Sequence, residues 1–146
     1  MADDACPLPT DPAARDADAV RRMLAGKRIA VVGLSDDPSR ASHGVASYLM
    51  SVGKEIIPVN PNHAQVMGLK CYASLAEVPG PIDVVDVFRR PEFCADIARA
   101  AVAAGAKGVW LQSGIRSPEA QRIAAEAGIG FVQDRCMKVD HMFGGR

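Results

Sequence analysis

Four short apolar runs recur along the chain: Ile29 to Val32, Ile56 to Val59, Val84 to Phe88 and Val109 to Leu111. A weaker fifth lies at Phe131-Val132. These runs are apolar at successive rather than alternate positions, the pattern of strands buried on both faces of a parallel sheet. Between them the spacing becomes helical. Asp11 and Pro12 cap and open a segment through Leu24, with Val20, Met23 and Leu24 on one face and Gly26 as the stop. Val45, Tyr48, Leu49 and Val52 repeat at three and four residues and end at Gly53. Pro91 opens a stretch with Phe93, Ile97, Ala101 and Ala104 that ends at Gly105. Ser117 and Pro118 are the cap and first residue of a last helix, which carries Ile123, Ala124 and Ala127 up to Gly128.

Strand and helix therefore alternate. Right-handed crossovers between them predict an α/β fold, a doubly wound, mainly parallel five-stranded sheet with helices on both faces. In such a sheet the ligand crevice lies beyond the carboxyl ends of the strands, where the strand order reverses. Gln65 to Pro81 stays open in this reading, since Cys71 to Leu75 fits a short extra strand as well as a loop.

The chain has 146 residues, enough for one well-buried core and too few for two ordinary domains. We expect a mobile tail over residues 1–11 and a single domain over residues 12–146. Lys and Arg total 17 and so do Asp and Glu, so no overall field gathers nucleic acid or an anionic membrane, and any ligand must be held by local groups. No apolar stretch approaches the roughly 20 residues that cross a bilayer. The start of the chain lacks the basic and apolar segments of a signal peptide, so a cytoplasmic location is expected. Cys6, Cys71, Cys94 and Cys136 are far apart and have no paired His ligands, which predicts reduced thiols and no metal site. An apolar helix face packs equally well on its own sheet or on a twin subunit, so a homo-oligomer stays open.

The polar groups at the expected strand ends define the candidate site. After the first strand come Gly33, Ser35, Asp36 and Asp37, then Arg40, Ser42, His43 and Gly44 at a helix start. A diphosphate there would meet backbone N–H groups, hydroxyls and a guanidinium, and the two glycines let backbone approach closely. The second strand delivers Asn60, Pro61, Asn62 and His63; the third, Arg89 and Arg90; the fourth, Gln112, Ser113 and Gly114; the fifth, Asp134, Arg135 and Cys136. Two absences argue against NAD. The first loop is not Gly-x-Gly-x-x-Gly, and Asn60 stands where an acidic residue would take the ribose hydroxyls. Cys136 is the best candidate for a reactive thiol, with Arg135 beside it to favour thiolate. His43, His63 and His141 form no recognisable nucleophile–base pair with it or with a serine.

Several blocks in order carry a resemblance: residues 32–45, Pro58-Val59-Asn60-Pro61, residues 84–91, residues 109–114 and Asp134-Arg135-Cys136-Met137. From Ile29 to about His141 the chain resembles the small single-domain CoA-binding proteins, relatives of the CoA-binding N-terminal domain of the succinyl-CoA synthetase alpha subunit. The resemblance implies a Rossmann-like fold with coenzyme A, or an acyl-CoA, across the strand ends. It places the phosphate loop on Ser35 to Gly44 and further contacts on Asn60 to His63, Val87-Phe88-Arg89 and Gln112 to Gly114. Where the synthetase carries a lysine after the second strand, this chain has His63, largely neutral at pH 7. The synthetase's catalytic histidine has no counterpart, since it belongs to a second domain. The expectation is a CoA binder without catalysis of its own. The alternative is an NAD(P)-dependent or acyl-CoA-processing enzyme completed by a partner subunit.

Overall fold

The computed structural model describes residues 12–143; the tail expected over residues 1–11, with its Asp11 cap, lies outside the described residues. Helix α1 (Pro12–Leu24) leads into β1 (Arg28–Val32), α2 (Ala41–Ser51) and β2 (Glu55–Val59). A hairpin of β3 (Gln65–Val66) and β4 (Leu69–Lys70) follows, then a single 3-10 turn at Leu75–Glu77. The rest alternates as expected: β5 (Val84–Val87), α3 (Pro91–Ala103), β6 (Gly108–Leu111), α4 (Pro118–Ala127), β7 (Gly130–Val132) and a short α5 (Met137–Met142).

The five long strands are all parallel, in the order β2-β1-β5-β6-β7. The chain first moves outward from β1 to β2, then returns to lay β5 on the other side of β1, so the order reverses between β1 and β5. Successive strand residues serve opposite layers. Ile29 and Val31 join Val45 and Leu49 of α2, Met23 of α1 and Met137 of α5 in one buried cluster. Ala30, Val32, Val85 and Val87 join Ala98 and Ala101 of α3 and Ala120 of α4 in the other. The small residues of α3 and α4 let those helices sit close to the sheet and to each other.

The open segment resolves into three pieces. Tyr72 runs beside the outer edge of β2, its N–H donating to the Pro58 carbonyl (3.0 Å) and its carbonyl accepting from Asn60 N–H (2.9 Å). In a parallel ladder a residue turns both its backbone groups to one side, so Pro58 points its missing donor outward and the β1–β2 ladder loses nothing. The β3–β4 hairpin packs Val66 into the core on the α2 side, whereas the 3-10 turn sends Leu75 into the α3/α4 core.

Helix ends follow sequence chemistry. The Ser117 hydroxyl accepts from Ala120 N–H at 3.1 Å, Pro118 occupies the first turn, and Gly128 closes α4 in the left-handed region at φ 72°. The ammonium of Lys54 donates to the Leu24 and Gly26 carbonyls at 2.6 and 2.7 Å, which closes the end of α1. Ser117→Ala leaves the Ala120 N–H without its acceptor and is expected to lower stability by about 1 kcal/mol in urea denaturation at unchanged m-value.

Candidate functional site

The sites picked from sequence converge on the carboxyl edge of the sheet around the β1/β5 reversal. Gly33 leaves β1 with φ +87°, and a Cβ there would lie 2.7 Å from the Phe88 carbonyl oxygen. Its glycine is thus demanded by the neighbouring strand as much as by any ligand. Gly44 differs: a Cβ there would meet nothing within 4 Å, so the first turn of α2 borders open space.

The loop between them is built from its own side chains. The buried Ser42 hydroxyl accepts from Ser35 N–H at 3.1 Å, the Ser35 hydroxyl accepts from Asp37 N–H at 3.0 Å, and Asp37 accepts from Ser39 N–H at 2.9 Å. The bond from Ser39 N–H holds the Asp37 carboxyl below the usual range. Asp36 accepts from Met67 N–H at 2.6 Å, which ties the β3–β4 hairpin to the loop. Both serines expected as ligand donors therefore spend an acceptor position on shaping the loop.

Arg40 is exposed and occupies the N-cap of α2, where no side chain caps the helix. Across the reversal Arg90 holds the same position on α3, again without a side-chain cap. Arg89 lies over the Phe93 ring at 4.4 Å, and Arg90 lies at 5.5 Å from the same ring while pairing with Glu92 at 3.6 Å. Cations at helix N-termini are misplaced with respect to the dipole. Arg90 is matched by Glu92, so the exposed Arg40 is the cation that this crevice presents, in a chain of zero net charge.

The remaining residues divide. Asn60 is half-buried; its Oδ1 accepts from Asn62 N–H at 3.0 Å and its amide donates to the Leu34 carbonyl at 3.4 Å. Pro61 and His63 are exposed beside it. The Val87 side chain is fully buried in the α3/α4 core and its carbonyl accepts from Gln112 N–H, so Val87 offers the crevice neither group. Phe88 is half-buried against the other core. Gln112 is buried, and its Oε1 accepts from Met137 N–H at 3.1 Å, while Ser113 and Gly114 are exposed. Half-buried Cys136 is the N-cap of α5. The expected help from Arg135 needs correction, because its guanidinium grips the Asp140 carboxylate at 2.6 and 2.9 Å and its charge is already matched.

Three acids take roles that the sequence reading did not assign, two of them at strand ends it had named. Asp134, at φ 57°, accepts from Gly114 N–H at 2.7 Å and pairs with Arg116; that N–H chiefly lowers its carboxyl below the usual range. Asp36 is the hairpin tie. Asp86, inside a run read as apolar, is fully buried without a partner, and burial alone pushes its carboxyl well above the usual range.

A cavity of about 900 Å³ lies at the opposite edge of the sheet, lined by Arg22, Met23, Lys27, Asp83, Lys107 and Phe131 among others. None of the crevice residues borders it. Its acids are already engaged: Asp83 accepts from Lys27 and Arg28 N–H, both at 2.9 Å, and Asp18 pairs with Arg21 and Arg22. Among the described residues no helix is long and apolar enough to cross a membrane, and no cluster of three metal-ligating side chains occurs.

The doubly wound parallel sheet sets these loops at its strand-order reversal, the place where folds of this class bind their ligands. The sequence matches the CoA binding domain family over residues 27–142, and the chain belongs to that family. The family resemblance read from the motifs is thereby borne out. The chain is 45% identical over 115 residues to the uncharacterized protein YneT of Bacillus subtilis (strain 168), covering 79% of this chain and 85% of that one. It is 33% identical over 82 residues to the alpha subunit of ADP-forming acetate–CoA ligase II of Pyrococcus furiosus, covering 56% of this chain and only 17% of the ligase subunit. Among solved structures, a hypothetical protein from Pyrococcus horikoshii OT3 superposes with a TM-score of 0.83 at 38% identity, over 86% of this chain and 89% of that one.

Gly33→Ala would force a Cβ against the Phe88 carbonyl in a left-handed conformation, and is expected to cost about 2–4 kcal/mol in stability, read by thermal or urea unfolding.

Proposed function

We propose that this chain binds coenzyme A or an acyl-CoA, with the diphosphate at the first turn of α2. The observation that carries this reading is the pair of arginines, Arg40 and Arg90, at the uncapped N-termini of the two helices that flank the strand-order reversal. Arg90 is matched by Glu92, so the unfavourable placement that an anion would relieve is that of Arg40. The family match and the similarity to a CoA ligase subunit point to the same ligand. The length of coenzyme A suits a track that runs along the strand ends toward Gln112, Ser113 and Gly114, where Cys136 borders the far end.

Asn60 further argues against NAD, since its amide is already committed to the Leu34 carbonyl and the Asn62 N–H. The chain acts by binding and not by catalysis. His141, the histidine nearest Cys136 in sequence, shares its Nδ1 with the Tyr48 hydroxyl at 2.7 Å, and exposed His63 sits on a different loop. A mixed disulfide between Cys136 and the CoA thiol is the one covalent state this site suggests. It forms by exchange with a disulfide of CoA, releasing the other thiol, and reductant reverses it.

Arg40→Ala is expected to weaken CoA by about 1.5–3 kcal/mol, more than tenfold, in titration calorimetry, with the thermal stability of the free protein nearly unchanged. Unchanged affinity would remove Arg40 from the site, and a flat titration of the wild type at millimolar coenzyme would remove the proposal.

A further inference from the structure

Among the described residues, the two carboxylate oxygens of Asp86 are the only buried side-chain polar atoms with no hydrogen-bond partner. Native interiors rarely tolerate such a group, because it loses its hydration and gains nothing in return. Asp86 lies on β5, in register with Val31 of β1 and Trp110 of β6. By strand alternation it faces the layer that holds α1, α2 and α5.

The short helix α5 packs in the same layer. This helix touches both α1 and α2, the Trp110 indole N–H donates to the Arg135 carbonyl at 2.8 Å, and Met137 is buried in the same cluster as Val31 and Trp110. The helix has 6 residues, and besides Met137 it is tied to α2 by the hydrogen bond between His141 and Tyr48 at 2.7 Å. Met137 is its one fully buried side chain, whereas Val139 and Met142 are 46% and 48% exposed and the following Phe143 is 80% exposed. A single turn and a half with so little buried area opens at low free energy. Its first N–H is held by Gln112, a residue of the proposed CoA track.

We infer that Asp86 is a trigger that sets how firmly α5 is seated, and that CoA occupancy and α5 seating are coupled through Gln112; the coupling rests on the CoA reading above. With α5 seated the carboxyl is sealed away without a partner. With α5 lifted it reaches water and ionises. Seating therefore carries a penalty that grows as the solution becomes less acidic, and a ligand that immobilises Gln112 offsets it.

No charged neighbour relieves the carboxyl. His43 and Tyr48 on α2, Lys138, Asp140 and His141 on α5, and Lys54 all fail to reach it, while β1 and β6 present Val31 and Trp110 and α1 presents Val20, Met23 and Leu24. Burial being the sole cause of the raised value, the sign is fixed. The seated state is fully favoured below the ordinary aspartate range, and that advantage is lost as pH rises toward the raised value of the buried group.

Hydrogen exchange of the full chain, followed over residues 137–142 with and without CoA, tests this. In the free wild type, protection of α5 should fall as pH rises above the ordinary aspartate range, after correction for intrinsic exchange. Asp86→Val should remove that trend and slow α5 exchange roughly tenfold near neutrality, because an apolar group of similar shape leaves nothing unpaired. Asp86→Asn, which keeps the shape and cannot ionise, should flatten the pH trend and carries the test if the valine variant folds poorly. Titration of His141 is common to all three proteins and cancels in the comparison. CoA should slow α5 exchange in the wild type. An unchanged pH trend in Asp86→Asn overturns the trigger, and CoA binding that leaves α5 exchange unaltered overturns the coupling. Failure of CoA to bind at all, with the Asp86 trend intact, removes the coupling and the proposed function and leaves the trigger standing.

Discussion

The crevice depends on the contact between Gly33 and the Phe88 carbonyl. Two parallel strands that diverge in topology must still run side by side to their ends, and here the chain leaving β1 turns directly against the backbone leaving β5. A side chain at residue 33 would collide with that carbonyl at 2.7 Å. Without one, the first loop can rise in the left-handed region, deliver Ser35 to the hydroxyl of Ser42, and start α2 at the lip of the reversal. The α3 start, with Arg90 at its cap, leaves the same contact from the other side. The positions of both arginines thus follow from one close backbone approach.

Electrostatics then act locally. A chain with equal numbers of acidic and basic residues has no long-range pull, yet its charges are sorted by place. At the amino edge of the sheet Asp83 takes the backbone N–H groups of Lys27 and Arg28 and pairs with Lys107, while the Arg28 guanidinium pairs with Glu55. At the carboxyl edge Asp37 holds a backbone N–H group of its own loop, Asp36 one of the hairpin and Asp134 one of the loop after β6, while Arg40 is left exposed. The acids build the frame and the base is presented, which is how a neutral protein offers a cationic spot.

Much of this was legible in the residues. The five strands, the four longer helices and their Gly and Pro punctuation follow directly from periodicity, because buried parallel strands and amphipathic helices leave unlike patterns. Gly33, Arg40 and Gly114 fall where strand-end reasoning put them. Other features leave no such pattern. Six residues of α5 are too few to show a face, and the two-residue strands of the hairpin are too short to alternate. Val87 was misassigned because the end of a strand is defined by its last ladder bond, here to Gln112, and not by its last apolar residue. Asp86 was hidden in an apolar run, since a carboxyl held uncharged reads in sequence like any surface acid. The pairing of Arg135 with Asp140 depends on the turn into α5, which spacing alone does not disclose.

Pro58 has a consequence for assembly. Along the rim beyond β2, the proline offers no hydrogen to a newcomer, and Tyr72 already occupies the adjoining acceptor and donor, so only Ile56 keeps groups turned outward there. The other rim, beside Phe131, retains an unpaired repeat in the middle of a three-residue strand. Among the described residues the rim beyond β2 is therefore the poorer template for an added strand, through the missing hydrogen of Pro58 together with the pairing of Tyr72.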